Sequence, residues 1–355
     1  MTTSPFTPAP PALYTFKLLR AASFKLDGGS MFGLIPRVVW SKTVPTDDKG
    51  RITVQHNCLL LDRVTPSSET PEISPRRVLI EVGSGDKLDP KMQEVFALER
   101  APGTTRPRTI IDALAEVGAT PESIDAVVVS HLHFDHAGAL TRLPRSGERP
   151  TWAAPPNSDG GGGSSQAGGC CVTFPNASIH VQAREWHDAI ANRSVMTKTY
   201  FPDHLHPIAD RLKLVDSPRP FPFGFTPNRD DLPSTPIELR ETELWPGGGL
   251  SVFLVPGHTW GQQAIKFTEP GPDLGGKGRT IVFTPDVMPT VNHSGAAYSL
   301  SYDVEPYTSM VTRRWFLAEA ARSDWVLCLD HEPGHPLVRV KDNGNGWFTL
   351  VHEPE

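Results

Sequence analysis

The sequence is poor in cysteine and contains no long apolar run. Its 355 residues include four cysteines, none of which form a CxxC pair, so a cysteine-based zinc finger is excluded. Cys170 and Cys171 are adjacent in the chain, and neighbouring residues do not readily form a disulfide with each other. No stretch of about 18 apolar residues is present, so the sequence predicts no membrane-spanning helix.

The chain also lacks an excess of positive charge. Its 34 Lys and Arg residues face 40 Asp and Glu residues, which gives a formal net charge of −6. Because phosphate binding requires a basic surface, we expect no nucleic-acid partner. Prolines near the N-terminus occupy the place where a secretory signal has its apolar core. We therefore expect a cytoplasmic monomer or homodimer that acts on a small-molecule substrate and has no membrane partner.

Proline and glycine are abundant, with 36 and 30 residues, and they mark long loops. We predict a disordered tail over residues 1–12 and a single domain over residues 13–355, with loop insertions near 144–172 and 216–237. A helical pattern with Gly118 as its stop lies between two apolar strand-like runs. This strand–helix–strand order predicts a layered α/β fold. The run RVVWSKTV (37–44) is also predicted to be a strand.

Four potential metal ligands lie within the six residues HLHFDH, directly after the apolar run AVVVS. They are His131, His133, Asp135 and His136. A mixture of imidazole and carboxylate groups suits zinc, iron or manganese. The motif therefore predicts a metal site, which requires further ligands from elsewhere in the chain.

Three other apolar runs also end in ligand-type residues, namely His258, Asp286 and His331. The carboxyl ends of strands form one rim of an α/β sheet, so residues distant in sequence can meet there. Seven ligands are too many for one tetrahedral centre, which takes four. We predict that one metal takes His131, His133 and His258, that a second takes Asp135, His136 and His331, and that Asp286 bridges them. His335 competes for the last position, but His331 follows its strand directly.

These motifs carry a resemblance to a known family. HLHFDHAGAL, VPGHTWGQQ, FTPD and DHEPGHP resemble the metal motifs of the metallo-β-lactamase fold superfamily. The segments FKLDGGSMFGLIPRVVW, NCLLL, IEVGSGDKLD and FPNASIHVQAREW resemble a hydrolase subfamily with lactonase-like and organophosphate-hydrolase-like members. The resemblance implies an αββα four-layer sandwich with a dinuclear site, usually two zinc ions, at the sheet edge. Relatives often have Asp-Thr-Gly in place of Glu81-Val82-Gly83, and many have histidine in place of Gln262.

The leading functional hypothesis is a dinuclear zinc-dependent hydrolase of a small, fairly apolar ester or lactone. A hydroxide that bridges the two metals would be the nucleophile, and iron or manganese would fit the same ligands. The enzyme alternative is a phosphotriester or thioester hydrolase at the same site, and the non-enzyme alternative is a metal-stabilised binding protein. Asp135 and Tyr302 are the candidate catalytic side chains, although Tyr302 can also be an ordinary buried tyrosine. Phe32, Phe134 and Trp260 are the predicted pocket wall.

Overall fold

The computed structural model describes residues 12–64, 75–153, 169–195, 198–220, 239–271, 278–295, 297–344 and 346–353. Residues 1–11 of the predicted tail lie outside this range, whereas Ala12 is buried and donates a backbone hydrogen bond to Gly247. Residues 154–168 and 221–237 of the two predicted insertions also lie outside the described part.

The described residues form two large β-sheets and a small two-stranded sheet. In chain order the strands are β1 (Leu13–Asp27), β2 (Arg51–Val64), β3 (Arg77–Ile80), β4 (Ala126–Val128), β5 (Thr141–Arg142), β6 (Cys171–Val172), β7 (Ser178–Gln182), β8 (Leu212–Val215), β9 (Thr242–Glu243), β10 (Leu250–Leu254), β11 (Gln263–Glu269), β12 (Arg279–Thr284), β13 (Val326–Leu329), β14 (Leu337–Asp342) and β15 (Phe348–His352). The first sheet has the order β1-β2-β3-β4-β7-β8, and the second has the order β15-β14-β13-β12-β11-β10-β9. Strands β5 and β6 pair separately.

The described residues include eight α-helices, some of which cover the outer faces of the two sheets. They are α1 (Gly28–Phe32), α2 (Arg37–Trp40), α3 (Pro90–Val95), α4 (Ile110–Glu116), α5 (Phe134–Ala137), α6 (Ala183–Ile190), α7 (Pro202–Leu205) and α8 (Pro306–Arg322). Leu114 of α4 and Ala189 of α6 belong to the apolar cluster on the outer face of the first sheet. Phe316 of α8 belongs to the corresponding cluster on the second sheet. In the part of the chain that is described, no helix has both the length and the apolar character needed to cross a membrane.

A third apolar cluster lies between the two sheets. Leu59 and Val128 of the first sheet pack there against Val252 and Phe283 of the second. Each sheet therefore buries one face against the other sheet and the opposite face against helices. This arrangement is the predicted αββα four-layer sandwich, and the fold prediction is confirmed.

Helix α4 illustrates how local sequence sets an element. Thr109 caps its N-terminus by accepting a hydrogen bond from the Ile111 amide, and the Asp112 side chain accepts one from the Thr109 amide in return. Gly118 follows the helix with a φ of 74°, a left-handed conformation that glycine adopts without steric cost. The predicted helix and its glycine stop are both present.

The prediction of a strand over residues 37–44 is wrong. Arg37–Trp40 forms helix α2, and Pro36 directly before it has the fixed φ that suits a helix start. Only Trp40 of its apolar residues is buried, whereas Val38 is 74% and Val39 45% exposed. The apolar residues of this run therefore do not line one face of a sheet. The sequence pattern alone could not show that most of them are exposed.

The loops that carry the predicted ligands follow strands that run in common directions. In the second sheet β12 and β13 are parallel, and β10 runs in the same direction as β12 because both are antiparallel to β11. In the first sheet β4 is parallel to β3 and β7. The chain thus brings residues that follow β4, β10, β12 and β13 to one edge of the sandwich.

Candidate metal centre

The first ligand group combines three imidazoles with one carboxylate. It consists of His131, His133, His258 and Asp286, whose ligand atoms all lie within 4.8 Å of one another. His258 Nε2 lies 3.0 Å from His133 Nδ1 and 3.0 Å from Asp286 Oδ2. His131 Nε2 lies 3.7 Å from the same Asp286 oxygen. The loops that follow β4, β10 and β12 supply these side chains, as the sequence predicts.

The second ligand group shares Asp286 with the first. It consists of His136, Asp286, Asp330 and His331, again with ligand atoms within 4.8 Å of one another. His136 Nε2 lies 3.6 Å from Asp286 Oδ2, and His331 Nε2 lies 3.3 Å from Asp286 Oδ1. Asp286 therefore faces both groups, which is the position predicted for a bridging carboxylate.

Asp135 lies beside the second group. Its carboxylate oxygens are 3.7 Å from His331 Nε2 and 3.9 Å from His136 Nε2. All seven predicted ligands thus meet in one place. The sequence interpretation overlooked Asp330, which joins the second group. Asp330 directly follows β13 and precedes His331, and a carboxylate at that strand end was the signal that could have identified it.

Several polar atoms in these groups are buried without a hydrogen-bond partner among the described residues. They include Nε2 of His131, His136 and His331, and Oδ1 of Asp286. Leaving such atoms unsatisfied costs free energy, so most buried polar groups have partners. Metal coordination would satisfy all of them at once. The residues therefore fit two metal ions, and the imidazole and carboxylate groups suit zinc, iron or manganese.

The electrostatic environment acts in two ways: burial keeps two imidazoles neutral, and the buried carboxylates attract positive charge. Burial lowers the pKa of His131 and of His133 well below the usual range, so both imidazoles are neutral, which is the form that coordinates a metal. Burial would lower the pKa of His258 too, but the carboxylates of Asp286 and Asp303 outweigh it and raise that pKa to about 10. Burial opposes ionisation of Asp286, yet the facing His258 and His331 hold its pKa well below the ordinary value.

Two buried carboxylates orient ligand imidazoles from behind. Asp303 Oδ1 lies 2.9 Å from His258 Nδ1, and Glu81 Oε2 lies 3.2 Å from His136 Nδ1. Such contacts fix the tautomer and the direction of a metal-binding histidine. Glu81 also accepts a hydrogen bond from the Ser130 amide and has a positive φ of 64°. Glutamate at the position where relatives often have aspartate therefore still contacts the metal-binding loop.

Glu185 of α6 ties the ligand loops together, and the sequence interpretation missed it. The buried carboxylate accepts hydrogen bonds from the Leu132 amide at 2.9 Å, the Thr259 hydroxyl at 2.6 Å and the Tyr200 hydroxyl at 3.2 Å. It thereby joins the loop of His131 and His133 to the loop of His258. A glutamate on the inner face of an amphipathic helix was the only signal in the sequence.

A small cavity of about 70 Å³ opens onto the ligand groups. Besides metal-ligand candidates, its lining consists of Leu26, Met31, Phe96, Phe134, Lys198, Thr199, Leu300 and Tyr302. Phe134 of the predicted pocket wall and the candidate catalytic residue Tyr302 are therefore both in the lining. Burial raises the pKa of Tyr302 to about 12, so its phenol keeps its proton at neutral pH.

Two other predicted pocket residues do not line this cavity. Phe32 is buried in the core, where its ring stacks between Trp40 and His293 at centroid distances of 4.9 and 4.8 Å. Trp260 lies under the Arg184 guanidinium, 4.9 Å from the ring centroid. The prediction of these two as pocket wall is wrong, because proximity in sequence to a ligand did not place either ring in the cavity. His335 is exposed and lies beside His352, away from the ligand groups.

Comparison with known proteins agrees with this geometry. A family model described as the metallo-beta-lactamase superfamily matches residues 77–161, which include the HLHFDH motif. The match spans less than half of the chain, and over these residues the chain is similar to that superfamily. No curated protein sequence matches the chain.

Solved structures share the metallo-β-lactamase fold of this chain over nearly its whole length. A probable metal-dependent hydrolase from Staphylococcus aureus is 22% identical with a TM-score of 0.66, and the alignment covers 98% of this chain and 99% of that one. The dizinc quorum-quenching lactonase AidC is 17% identical with a TM-score of 0.62, covering 98% and 97%. The hydrolase AbOPH is 17% identical with a TM-score of 0.59, covering 98% and 100%. At these identities the likeness establishes the fold.

Proposed function

We propose that the protein is a dinuclear zinc-dependent hydrolase of a small, fairly apolar ester or lactone. The observation that carries this proposal is the shared carboxylate of Asp286 between two ligand groups at the floor of an apolar cavity. Two bound divalent ions would supply a nucleophilic hydroxide at neutral pH and polarise a carbonyl or phosphoryl oxygen. Two structural relatives support this proposal, one described as a dizinc quorum-quenching lactonase and the other as a probable metal-dependent hydrolase.

The cavity supports a compact, apolar substrate. Its volume of about 70 Å³ is small beside the roughly 300–1,000 Å³ of common ligand pockets, so only the reacting part of a substrate and a short apolar portion fit inside. Leu26, Met31, Phe96, Phe134 and Leu300 supply the apolar surface. A large polar substrate such as a peptide or a nucleic-acid strand gains no matching contacts from this lining.

The available proton donors favour ester and lactone bonds over amide bonds. An amine leaving group needs a proton during cleavage, whereas an alkoxide depends less on one. Apart from the ligand candidates His133, His258, Asp286 and His331 and the exposed Lys198, the cavity side chains that can handle a proton are Asp135 and Tyr302. Asp135 lies against the second ligand group, and a phenol whose pKa is raised to about 12 donates a hydrogen bond more readily than a proton. Lys198 is exposed at the mouth.

Metal content provides the first test. The purified protein is expected to hold close to two ions per chain after incubation with Zn²⁺, as measured by elemental analysis, because Asp286 serves two separate ligand groups. A stoichiometry of one that added Zn²⁺ cannot raise would contradict the dinuclear proposal. Removal of the ions by a chelator should abolish hydrolysis, and added Zn²⁺ should restore it.

Substrate comparison provides the second test. Under one set of conditions, kcat/KM is measured for an aryl ester, a medium-chain lactone, a thioester, a phosphotriester and a chromogenic β-lactam. We expect the ester and the lactone to be cleaved faster than the β-lactam. A β-lactam preference of tenfold, about 1.4 kcal/mol in transition-state binding, would overturn the proposal. A dominant phosphotriester or thioester rate would favour the alternative hydrolase, and metal binding without turnover would favour the binding protein.

A further inference from the structure

Asp330 is a buried carboxylate whose hydrogen-bonding capacity is unused. Its side chain is only 2% exposed, and neither carboxylate oxygen has a hydrogen-bond partner among the described residues. Oδ2 lies 3.9 Å from His331 Nε2, and the carboxylate shares the second ligand group with His136 and Asp286. A buried carboxylate without donors is costly, so its burial here points to a cation that it contacts.

The backbone holds Asp330 firmly in this position. Its amide donates a hydrogen bond to Thr284 O, and its carbonyl accepts one from the Asn57 amide. The Asn57 side chain donates to the carbonyls of Leu329 and Glu332, one on each side of the Asp330–His331 pair. Strand β12 of the same sheet and strand β2 of the first sheet therefore both hold the residue, and these contacts fix the position of its carboxylate in the ligand group.

The two ligand groups consequently differ in chemical character. The first has three imidazoles and the Asp286 carboxylate. The second has two imidazoles, Asp286 and Asp330, with the Asp135 carboxylate 3.7 Å from His331 Nε2. Nitrogen-rich sites suit zinc, whereas carboxylate-rich sites are better matched to harder ions such as Mn²⁺.

We propose that Asp330 is a ligand of the second metal ion and that it makes the second subsite receptive to a hard divalent ion such as Mn²⁺, while the three-histidine subsite takes Zn²⁺. The inference rests on the dinuclear centre of the proposed function, in which Zn²⁺ can also occupy the second subsite when no Mn²⁺ is present, but not on any particular substrate. It assigns the two subsites different metal preferences, which the seven ligands predicted from the sequence do not require.

The test uses the full-length protein freed of metal by a chelator. One equivalent of Zn²⁺ is added first, and Mn²⁺ is then titrated while electron paramagnetic resonance measures the free Mn²⁺ signal. The wild type is expected to bind one Mn²⁺ and to give a mixed centre. Asp330→Asn keeps the size of the side chain and removes its charge, and it should weaken Mn²⁺ binding by roughly tenfold or more while the first Zn²⁺ still binds.

Two comparisons separate coordination from a general loss of charge or fold. Glu332→Gln is the matched control, because Glu332 is also buried but accepts hydrogen bonds from the Val291 and Gly334 amides. The glutamine NH₂ group would face one of these two donors and lower the stability of the fold, but Mn²⁺ binding should be unchanged because Glu332 belongs to neither ligand group. The visible absorption spectrum of Co²⁺ in the second subsite should change in Asp330→Asn and not in Glu332→Gln, since it reports the ligands directly. If Asp330→Asn does not fold, Asp330→Ser replaces it in the same comparison.

An unchanged Mn²⁺ affinity and an unchanged Co²⁺ spectrum in Asp330→Asn would overturn the inference. The same loss of Mn²⁺ binding in Glu332→Gln would also overturn it, because a nonspecific charge effect would then suffice. Failure of the ester and lactone assays alongside a normal mixed centre would count only against the proposed substrate class.

Discussion

Asp303 Oδ1 accepts a hydrogen bond from Nδ1 of His258 at 2.9 Å, and this contact aims Nε2 of the imidazole at Asp286. The second Asp303 oxygen accepts a hydrogen bond from the Leu300 amide. The carboxylate is therefore held by the loop that precedes α8 and in turn holds a ligand of the first group. Outer contacts of this kind set both the orientation and the basicity of a metal-binding histidine.

Asp303→Asn is expected to weaken metal binding at the first subsite by roughly 10- to 100-fold. The asparagine amide has only one acceptor oxygen, whereas Asp303 accepts from two donors, His258 Nδ1 and the Leu300 amide. Its NH₂ group would therefore face one of these donors, and one of the two hydrogen bonds would be lost. Competition with a chromogenic chelator measures the affinity. Glu305→Gln, a charge change at an exposed position nearby, serves as the control and should bind metal normally. If Asp303→Asn bound metal with wild-type affinity, Asp303 would have no role in positioning His258 for metal binding.

Asp286→Ala should retain the fold and lose both activity and metal. The carboxylate contacts ligand atoms of both groups, so its removal leaves neither subsite complete. We expect kcat/KM to fall by roughly 100-fold or more, beyond the effect of an outer partner. Circular dichroism checks the fold, elemental analysis the metal content, and Asp210→Ala at an exposed site is the control. Full metal content with wild-type turnover would show that Asp286 is not the bridge.

Tyr302→Phe tests whether the phenol takes part in the reaction. If it donates a hydrogen bond to the oxyanion or leaving group, its loss should lower kcat by roughly 100-fold with little change in metal content. Tyr298→Phe is the matched control, since Tyr298 packs edge-on against Phe32 at 5.9 Å and does not line the cavity. Equal kcat values for the two variants would assign Tyr302 a packing role only.

His180 is expected to make the protein less stable in acid. Burial, with a smaller contribution from Lys213, lowers its folded-state pKa from 6.5 to about 4. The unfolded chain therefore binds a proton that the folded chain does not, so stability falls as pH decreases from about 6.5 to about 4. The lowered pKa corresponds to about 3 kcal/mol.

His180→Gln should reduce the slope of the unfolding free energy against pH in that window, to which other buried histidines with a lowered pKa, such as His293, also contribute. Denaturant titrations at several pH values measure it. His187→Gln, at an exposed position of α6, removes a histidine without removing this effect and should follow the wild type. The same slope in His180→Gln and the wild type would contradict the prediction.

The sequence by itself predicted seven of the candidate ligands and a layered α/β fold. His131, His133, Asp135 and His136 lie in one short motif, and His258, Asp286 and His331 follow apolar runs that become strands β10, β12 and β13. Strand ends are local features, and parallel strands bring them to one edge, so this part of the site could be predicted from one chain without coordinates.

Only the tertiary structure decided which other side chains meet there. Asp330, Asp303 and Glu185 carry no motif, because an isolated carboxylate looks the same whether it faces solvent, a helix terminus or a buried imidazole. Their roles depend on which strands neighbour each other and on how the loops pack, contacts that span 45 residues for Asp303 and His258. The same reason explains why Phe32 and Trp260 are not in the cavity: an aromatic ring near a ligand in sequence can point to either side, and packing against Trp40 and Arg184 settles its direction.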